Sequence, residues 1–108
     1  MEANGNGKIH VSINPDLRDL IPGFLENRKR DVHTLLSAIE RNDFETIRML
    51  GHRMKGDGGG YGFQTITELG AALEAAAKHK HAGEAHRHVM ELMRYLERIE
   101  VVYDSSGL

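Results

Sequence analysis

The sequence contains no cysteine among its 108 residues. This absence excludes a disulfide framework, a thiol nucleophile and a zinc site built on cysteine ligands. It is compatible with a cytoplasmic location, which we predict for the protein. Any covalent chemistry on this chain must therefore use another kind of side chain.

An excess of basic residues and a long apolar run are absent as well. Fourteen Lys and Arg side chains stand against sixteen Asp and Glu, and the sequence pI is about 6.4. Nucleic-acid-binding domains are usually basic, so we expect no nucleic-acid partner. No apolar run approaches the roughly 20 residues that a membrane-spanning helix needs, so we expect no membrane association. The length suits one domain with a single modest core, which we expect to be a monomer.

A sustained strand pattern is also missing. Apolar and polar residues alternate only over residues 9–13, a run too short and isolated to predict a stable sheet. Asn14 before Pro15 is typical of a helix start, and Pro22 with Gly23 predicts that this first helix ends early.

Apolar residues at helical spacing predict four longer helices. They cover residues 24–41, a segment that Asn42 caps, residues 63–80 and residues 84–103. The expected fold is all-α: an antiparallel up-down four-helix bundle with a short additional N-terminal helix. We expect a flexible tail over residues 1–12, the bundle domain over 13–104 and a tail over 105–108, and these polar tails suggest a domain that acts alone.

The most unusual stretch of the chain lies between His52 and Gly62. It holds five glycines: Gly56, Gly58, Gly59, Gly60 and Gly62. Each glycine in a helix interior costs roughly 1 kcal/mol relative to alanine. Either the helix therefore ends after Lys55, or something must approach its backbone closely.

The helical period places His52 on the exposed side of its helix. At about 100° per residue, His52 points roughly 150° away from the centre of the apolar face. Lys55 and Gly56, three and four positions later, share its surface. An imidazole thus lies beside one ammonium group where few side chains project, which suits a small anion on the ring and a partner pressed against the helix.

This stretch resembles the signature of histidine-containing phosphotransfer (HPt) domains. The matching residues are His52-x-Met54-Lys55-Gly56, followed by Gly62, Ile66, Leu69, Leu73 and Glu74. A looser resemblance covers roughly residues 13 to 104. The family more often has Ser or Ala where this chain has Asp57, Gly58 and Gly59, and the charge of Asp57 would slightly oppose a bound phosphate.

The resemblance implies a covalent phosphate carrier of a two-component phosphorelay rather than an enzyme. His52 would accept a phosphoryl group from an aspartyl phosphate on a receiver domain and pass it to another receiver. Such receivers belong to response regulators or hybrid histidine kinases. The sequence has no Walker-type phosphate-binding motif, so we expect no phosphorylation from ATP. No cofactor is expected on this chain, and the magnesium ion would belong to the receiver.

The resemblance also implies roles for the neighbours of His52. Lys55 would stabilise the phosphate as a point charge. Glu74 would accept a hydrogen bond from the imidazole and so fix its tautomer. Close approach of the partner would take place at three glycines: Gly56, Gly59 and Gly62.

Two alternative functions remain open from the residues. The chain could be a docking module that binds a receiver without transferring phosphate. It could also bind a metal through its histidine-rich turn, which contains His79, His81, His86 and His88. Residues two apart on a helix point in different directions, which disfavours this second alternative, and we predict no metal site.

Overall fold

The structure is a computed structural model that describes residues 7–104. The elements of this part are strand β1 (Ile9–Ile13), helices α1 (Ile21–Glu40), α2 (Phe44–Gly60), α3 (Gln64–Lys78) and α4 (Ala82–Arg98), and strand β2 (Ile99–Tyr103). The predicted tails at residues 1–6 and 105–108 lie outside the described residues.

The four helices form a bundle in which each helix packs mainly against two others, in the cyclic order α1, α2, α3, α4. Short turns separate successive helices, so the chain reverses direction at each turn. Residues from all four helices fill the core, and its largest fully enclosed side chains include Leu35, Ile47, Met54, Leu73 and Leu92. The predicted helical bundle is confirmed for this part of the chain.

The two strands form a small parallel sheet that the sequence analysis did not predict. Ile9 pairs with Ile99, and the register continues to Ile13 opposite Tyr103. Alternate residues of each strand turn toward the core, while the others face solvent. The prediction that residues 9–13 are too isolated for a sheet was wrong, because their partner strand comes from the other end of the chain. Helix α4 consequently ends at Arg98 rather than at residue 103, and residues 9–12 of the predicted flexible tail lie in β1.

The predicted additional N-terminal helix is also absent from the described residues. Pro15–Leu17 makes only a single 3-10 turn, in which the side chain of Asn14 accepts a hydrogen bond from the Asp16 N–H at 2.9 Å. Pro22 begins a helix rather than ending one, because it lies in the first turn of α1. A proline there breaks no helical hydrogen bond, since the first N–H groups of a helix have no partner within it.

The N-terminus of α2 is capped by Asp43 and not by Asn42. The side chain of Asp43 accepts hydrogen bonds from the N–H and the hydroxyl of Thr46, at 3.1 and 2.6 Å. Asn42 instead adopts the left-handed conformation, with φ of 55°, in the turn that precedes the helix. Asparagine tolerates this conformation better than most residues, so the predicted cap was displaced by one position.

Helices α2 and α3 cross closely at two glycines, Gly51 and Gly70. A Cβ atom on Gly51 would lie 2.7 Å from the backbone nitrogen of Glu74 and 2.8 Å from the carbonyl oxygen of Gly70. A Cβ atom on Gly70 would lie equally close to the backbone of α2. The two backbones therefore pass each other without an intervening side chain, and this brings the middle of α3 up to the exposed edge of α2.

Replacing Gly51 with alanine should destabilise the bundle by about 1–3 kcal/mol, because the new methyl group would push two backbones apart. Gly56 on the same helix provides the matched control, since no heavy atom lies within 4 Å of the position its Cβ would take. Gly56→Ala should stabilise the bundle by up to about 1 kcal/mol through helix propensity alone. Urea unfolding of the two variants measures both effects. Equal changes in the unfolding free energy would contradict the close crossing at Gly51.

Candidate functional site

His52 lies near the middle of α2 with its ring in solvent. The side chain is 66% exposed, as the helical period predicts. The helix does not end after Lys55 but continues through most of the glycines to Gly60. Of the two explanations for the glycine run, early termination of the helix is therefore excluded.

The carboxylate of Glu74 bridges His52 and Lys55. One oxygen, Oε2, lies 3.0 Å from Nδ1 of His52, and the other, Oε1, lies 2.8 Å from Nζ of Lys55. The Glu74 side chain is only 11% exposed, because it projects from α3 next to the glycine crossing. The structure thus brings together the predicted phosphoacceptor, the predicted phosphate-stabilising lysine and the predicted orienting acid.

Lys55 and His52 keep the carboxylate of Glu74 ionised. The hydrogen bond from Lys55 is the main cause that lowers the pKa of Glu74 below its usual range, and the hydrogen bond from His52 adds to it. Partial burial acts in the opposite direction but does not prevail. The carboxylate is therefore negatively charged at neutral pH.

An ionised carboxylate has a direct consequence for the imidazole. A carboxylate can only accept hydrogen bonds, so the ring nitrogen beside it must carry the hydrogen. In the neutral ring of His52, this arrangement places the proton on Nδ1 and leaves the lone pair on Nε2. The exposed side of the ring thereby becomes the nucleophilic side.

The glycines of α2 differ in what surrounds them. Gly56 and Gly60 are open, with no heavy atom within 4 Å of an added Cβ, and Gly59 would make only ordinary contacts. Gly58 packs tightly, because its Cβ would lie 2.6 Å from the backbone nitrogen of Thr67. Gly62 has φ of 93° and faces the side chain of Ile13, so its backbone conformation and packing already account for a glycine. Docking at Gly56 and Gly59 stays a prediction that the open surface permits.

Asp57 faces away from the predicted phosphate site. It lines a cavity of about 360 Å³ between α1 and α2, together with Arg28 and Tyr61. Five positions along a helix turn the side chain by about 140° from that of His52. The expected repulsion between Asp57 and a phosphate on His52 therefore has no support in the geometry.

Sequence reasoning missed Thr67, which contacts the backbone of α2 beside the site. Its hydroxyl oxygen accepts a hydrogen bond from the Gly59 N–H at 2.7 Å and donates one to the Lys55 carbonyl at 3.1 Å. Helical periodicity does not reveal such a contact, because it joins two helices. The sequence alone therefore gives no signal that singles out Thr67.

The histidine-rich turn brings two of its rings together and pairs a third with an acid. The rings of His79 and His81 lie edge to face with centroids 6.0 Å apart, and His88 pairs with Glu91 at 3.0 Å. Within residues 7–104, no group of three or more His, Cys, Asp or Glu side chains is arranged to hold a metal ion. The metal-binding alternative therefore lacks a structural basis in this range.

A comparison with models of protein families identifies the family of the chain. The model of the Hpt domain matches residues 19–101, which is most of the chain. The chain belongs to the Hpt domain family. It is thus a phosphotransfer-type module of two-component signalling, and modules of this family act as phosphocarriers that interact with receiver domains. Neither the comparison with curated proteins nor that with solved structures found a match.

No helix in residues 7–104 is long and apolar enough to cross a membrane.

The charge on Glu74 should make part of the stability depend on pH. Since its pKa is lower in the folded state than the ordinary 4.5, the carboxylate contributes fully above that value. The contribution is lost as the pH falls through the lower folded-state value. Glu74→Gln should therefore be less stable than the wild type at neutral pH, with a difference that shrinks as the pH is lowered below 4.5.

Urea unfolding over a series of pH values, from neutral pH to below 4.5, measures this difference. Glu68→Gln, which changes an exposed acid on the same helix, is the matched control and should show a smaller effect. A stability difference for Glu74→Gln that does not vary with pH would contradict an ionised, paired carboxylate.

Proposed function

We propose that this protein is a histidine phosphotransfer protein of a two-component phosphorelay. His52 accepts a phosphoryl group from the aspartyl phosphate of one receiver domain and passes it to a second receiver. The observation that carries the proposal is the Glu74 bridge, because it leaves Nε2 of an exposed imidazole as a nucleophile beside a cation. Membership of the Hpt domain family supports the same chemistry.

The transfer forms one bond and breaks one. The lone pair on Nε2 of His52 attacks the phosphorus atom, and the bond between phosphorus and the aspartyl oxygen breaks with its electron pair on the departing carboxylate. The ring gains positive charge as the N–P bond forms. Glu74, hydrogen-bonded to Nδ1, stabilises that charge from the opposite side of the ring. Transfer to the next receiver is the reverse of these steps with another aspartate.

Lys55 supplies positive charge for the phosphate oxygens. Its ammonium group already donates to Glu74 at 2.8 Å. An ammonium has three donors, so Lys55 can retain this contact and donate to a phosphate on His52 as well. Phosphoryl transfer depends mainly on positioning and charge stabilisation, which is the help that these two neighbours provide.

The receiver docks on the surface of α2 around the phosphoacceptor. Gly56 and Gly59 lie within two turns of His52 and project no side chain, so the backbone of the partner can come close. Met49, one turn before His52, is 44% exposed and offers an apolar contact on the same surface. The receiver brings its own acidic pocket and magnesium ion, and this chain needs no cofactor.

We further propose that the protein works as a monomer in the cytoplasm. Most apolar residues of the four helices pack into one core within a single chain, which supports the monomer. The lack of cysteine is compatible with a reducing compartment. The alternative function is a module that docks a receiver without transferring phosphate. Labelling by a phosphorylated receiver distinguishes it from a phosphotransfer protein.

His52→Gln should abolish labelling by a phosphorylated receiver domain, because the variant lacks the nucleophile. His33→Gln, on α1, is the matched control and should be labelled like the wild type. The label on the wild type should be acid-labile and base-stable, as expected for a phosphoramidate. Lys55→Ala should be labelled about tenfold more slowly or lose its phosphate faster, since a charge-assisted contact is removed.

Circular dichroism checks that the helix content of each variant is unchanged. Acid-stable label, or label that persists in His52→Gln, would refute His52 as the acceptor. A wild-type protein that binds receivers but takes no label from any of them would establish the docking module instead.

Gly59→Leu should weaken receiver binding while leaving the bundle folded. An added Cβ there makes only ordinary contacts at 3.5 and 3.7 Å, but the longer side chain projects from the proposed docking surface. Gly83→Leu in α4, another position with open space around it, is the matched control. Titration of each variant with a receiver domain measures the affinity. Equal affinities for the two variants would show that Gly59 does not lie in the interface.

A further inference from the structure

The hydroxyl group of Thr67 forms hydrogen bonds with the backbone of α2, the helix that carries His52. In a regular α-helix, the N–H of Gly59 would donate directly to the carbonyl of Lys55, four residues earlier. The hydroxyl of Thr67, from α3, contacts both of these groups, at 2.7 and 3.1 Å. One hydroxyl can donate one hydrogen bond and accept others, so both contacts form at the same time.

The surrounding glycines explain how Thr67 reaches this position. A Cβ on Gly58 would lie 2.6 Å from the backbone nitrogen of Thr67 and 2.7 Å from its hydroxyl oxygen. Only glycine at position 58 therefore lets the first turn of α3 come this close. Gly58 and Thr67 form a matched pair, which accounts for a glycine that the docking surface does not need.

The segment that Thr67 contacts needs support from outside its own helix. Four of the five residues from Gly56 to Gly60 are glycine, and glycine loses more conformational freedom in a helix than any other residue. Lys55 and Gly59 also border the proposed phosphate site and docking surface. A contact that fixes their backbones therefore fixes groups that the proposed transfer uses.

We propose that Thr67 is a positioning residue for phosphotransfer. Its hydroxyl clamps the backbone of α2 between Lys55 and Gly59, and so holds the lysine and the glycine surface in the arrangement that the receiver meets. This role rests on the proposed function, because Lys55 and Gly59 are groups that the proposed transfer uses. Thr67 acts through the backbones of these two residues and not through contact with the phosphate.

Two substitutions separate the hydroxyl from the shape of the side chain. Thr67→Val keeps the branched shape and removes the hydroxyl, whereas Thr67→Ser keeps the hydroxyl. Amide hydrogen exchange of the free protein should show faster exchange at Gly59 in Thr67→Val only. The value of kcat/KM for transfer from a phosphorylated receiver should fall about fivefold in Thr67→Val and be restored in Thr67→Ser.

Thermal unfolding identifies a variant that does not fold, and Thr67→Ala replaces Thr67→Val in that case. Transfer that is equally fast in Thr67→Val and Thr67→Ser would overturn the role of the hydroxyl, as would an equal loss in both. Unchanged exchange at Gly59 would overturn the clamp itself. These outcomes differ from the one in which the wild-type protein accepts no phosphate. That outcome would overturn the proposed function.

Discussion

The contact between the Glu74 carboxylate and His52 is the interaction on which the site depends. Exposed helical histidines are common, and an exposed ring that rotates freely offers either nitrogen to solvent. Glu74 removes this freedom, since its ionised carboxylate requires the proton on Nδ1 at a separation of 3.0 Å. The same carboxylate also holds Lys55 at 2.8 Å. The position of one acid on α3 thus determines how two residues of α2 are presented to a partner.

That position depends in turn on small residues at the crossing of the two helices. Gly51 and Gly70 let the backbones of α2 and α3 pass so closely that Glu74 reaches the exposed edge of α2. The glycines of this region therefore divide by physical role. Gly51, Gly58 and Gly70 permit close packing and Gly62 permits a positive φ, whereas Gly56 and Gly60 have no neighbour that excludes a larger residue. Gly56 lies inside the helix and lowers its stability with no packing reason, which is compatible with a surface kept flat for a partner.

Local patterns in the sequence were sufficient for the four long helices and for the exposure of His52, because both follow from the helical period. The register of the family signature also placed Glu74 among the candidates, and the structure shows its contact with the ring. Features that depend on distant contacts were not accessible in this way. Strand β1 is stable only because β2 lies beside it some 90 residues later, as the pairing of Ile9 with Ile99 shows. Thr67 acquires its contacts only when α3 packs on α2, and Pro22 could be read as the end of one helix or the start of another.

The central claim is that phosphate joins Nε2 of His52 while Glu74 holds Nδ1. The most direct test is a long-range ¹H–¹⁵N correlation spectrum of the protein labelled with ¹⁵N-histidine, recorded before and after phosphorylation by a receiver domain. We expect the unphosphorylated His52 ring to be protonated at Nδ1 when it is neutral, and phosphorylation to shift the signal of its Nε2. A phosphate bonded to Nδ1 of His52, or to the ring of any other histidine, would contradict this account.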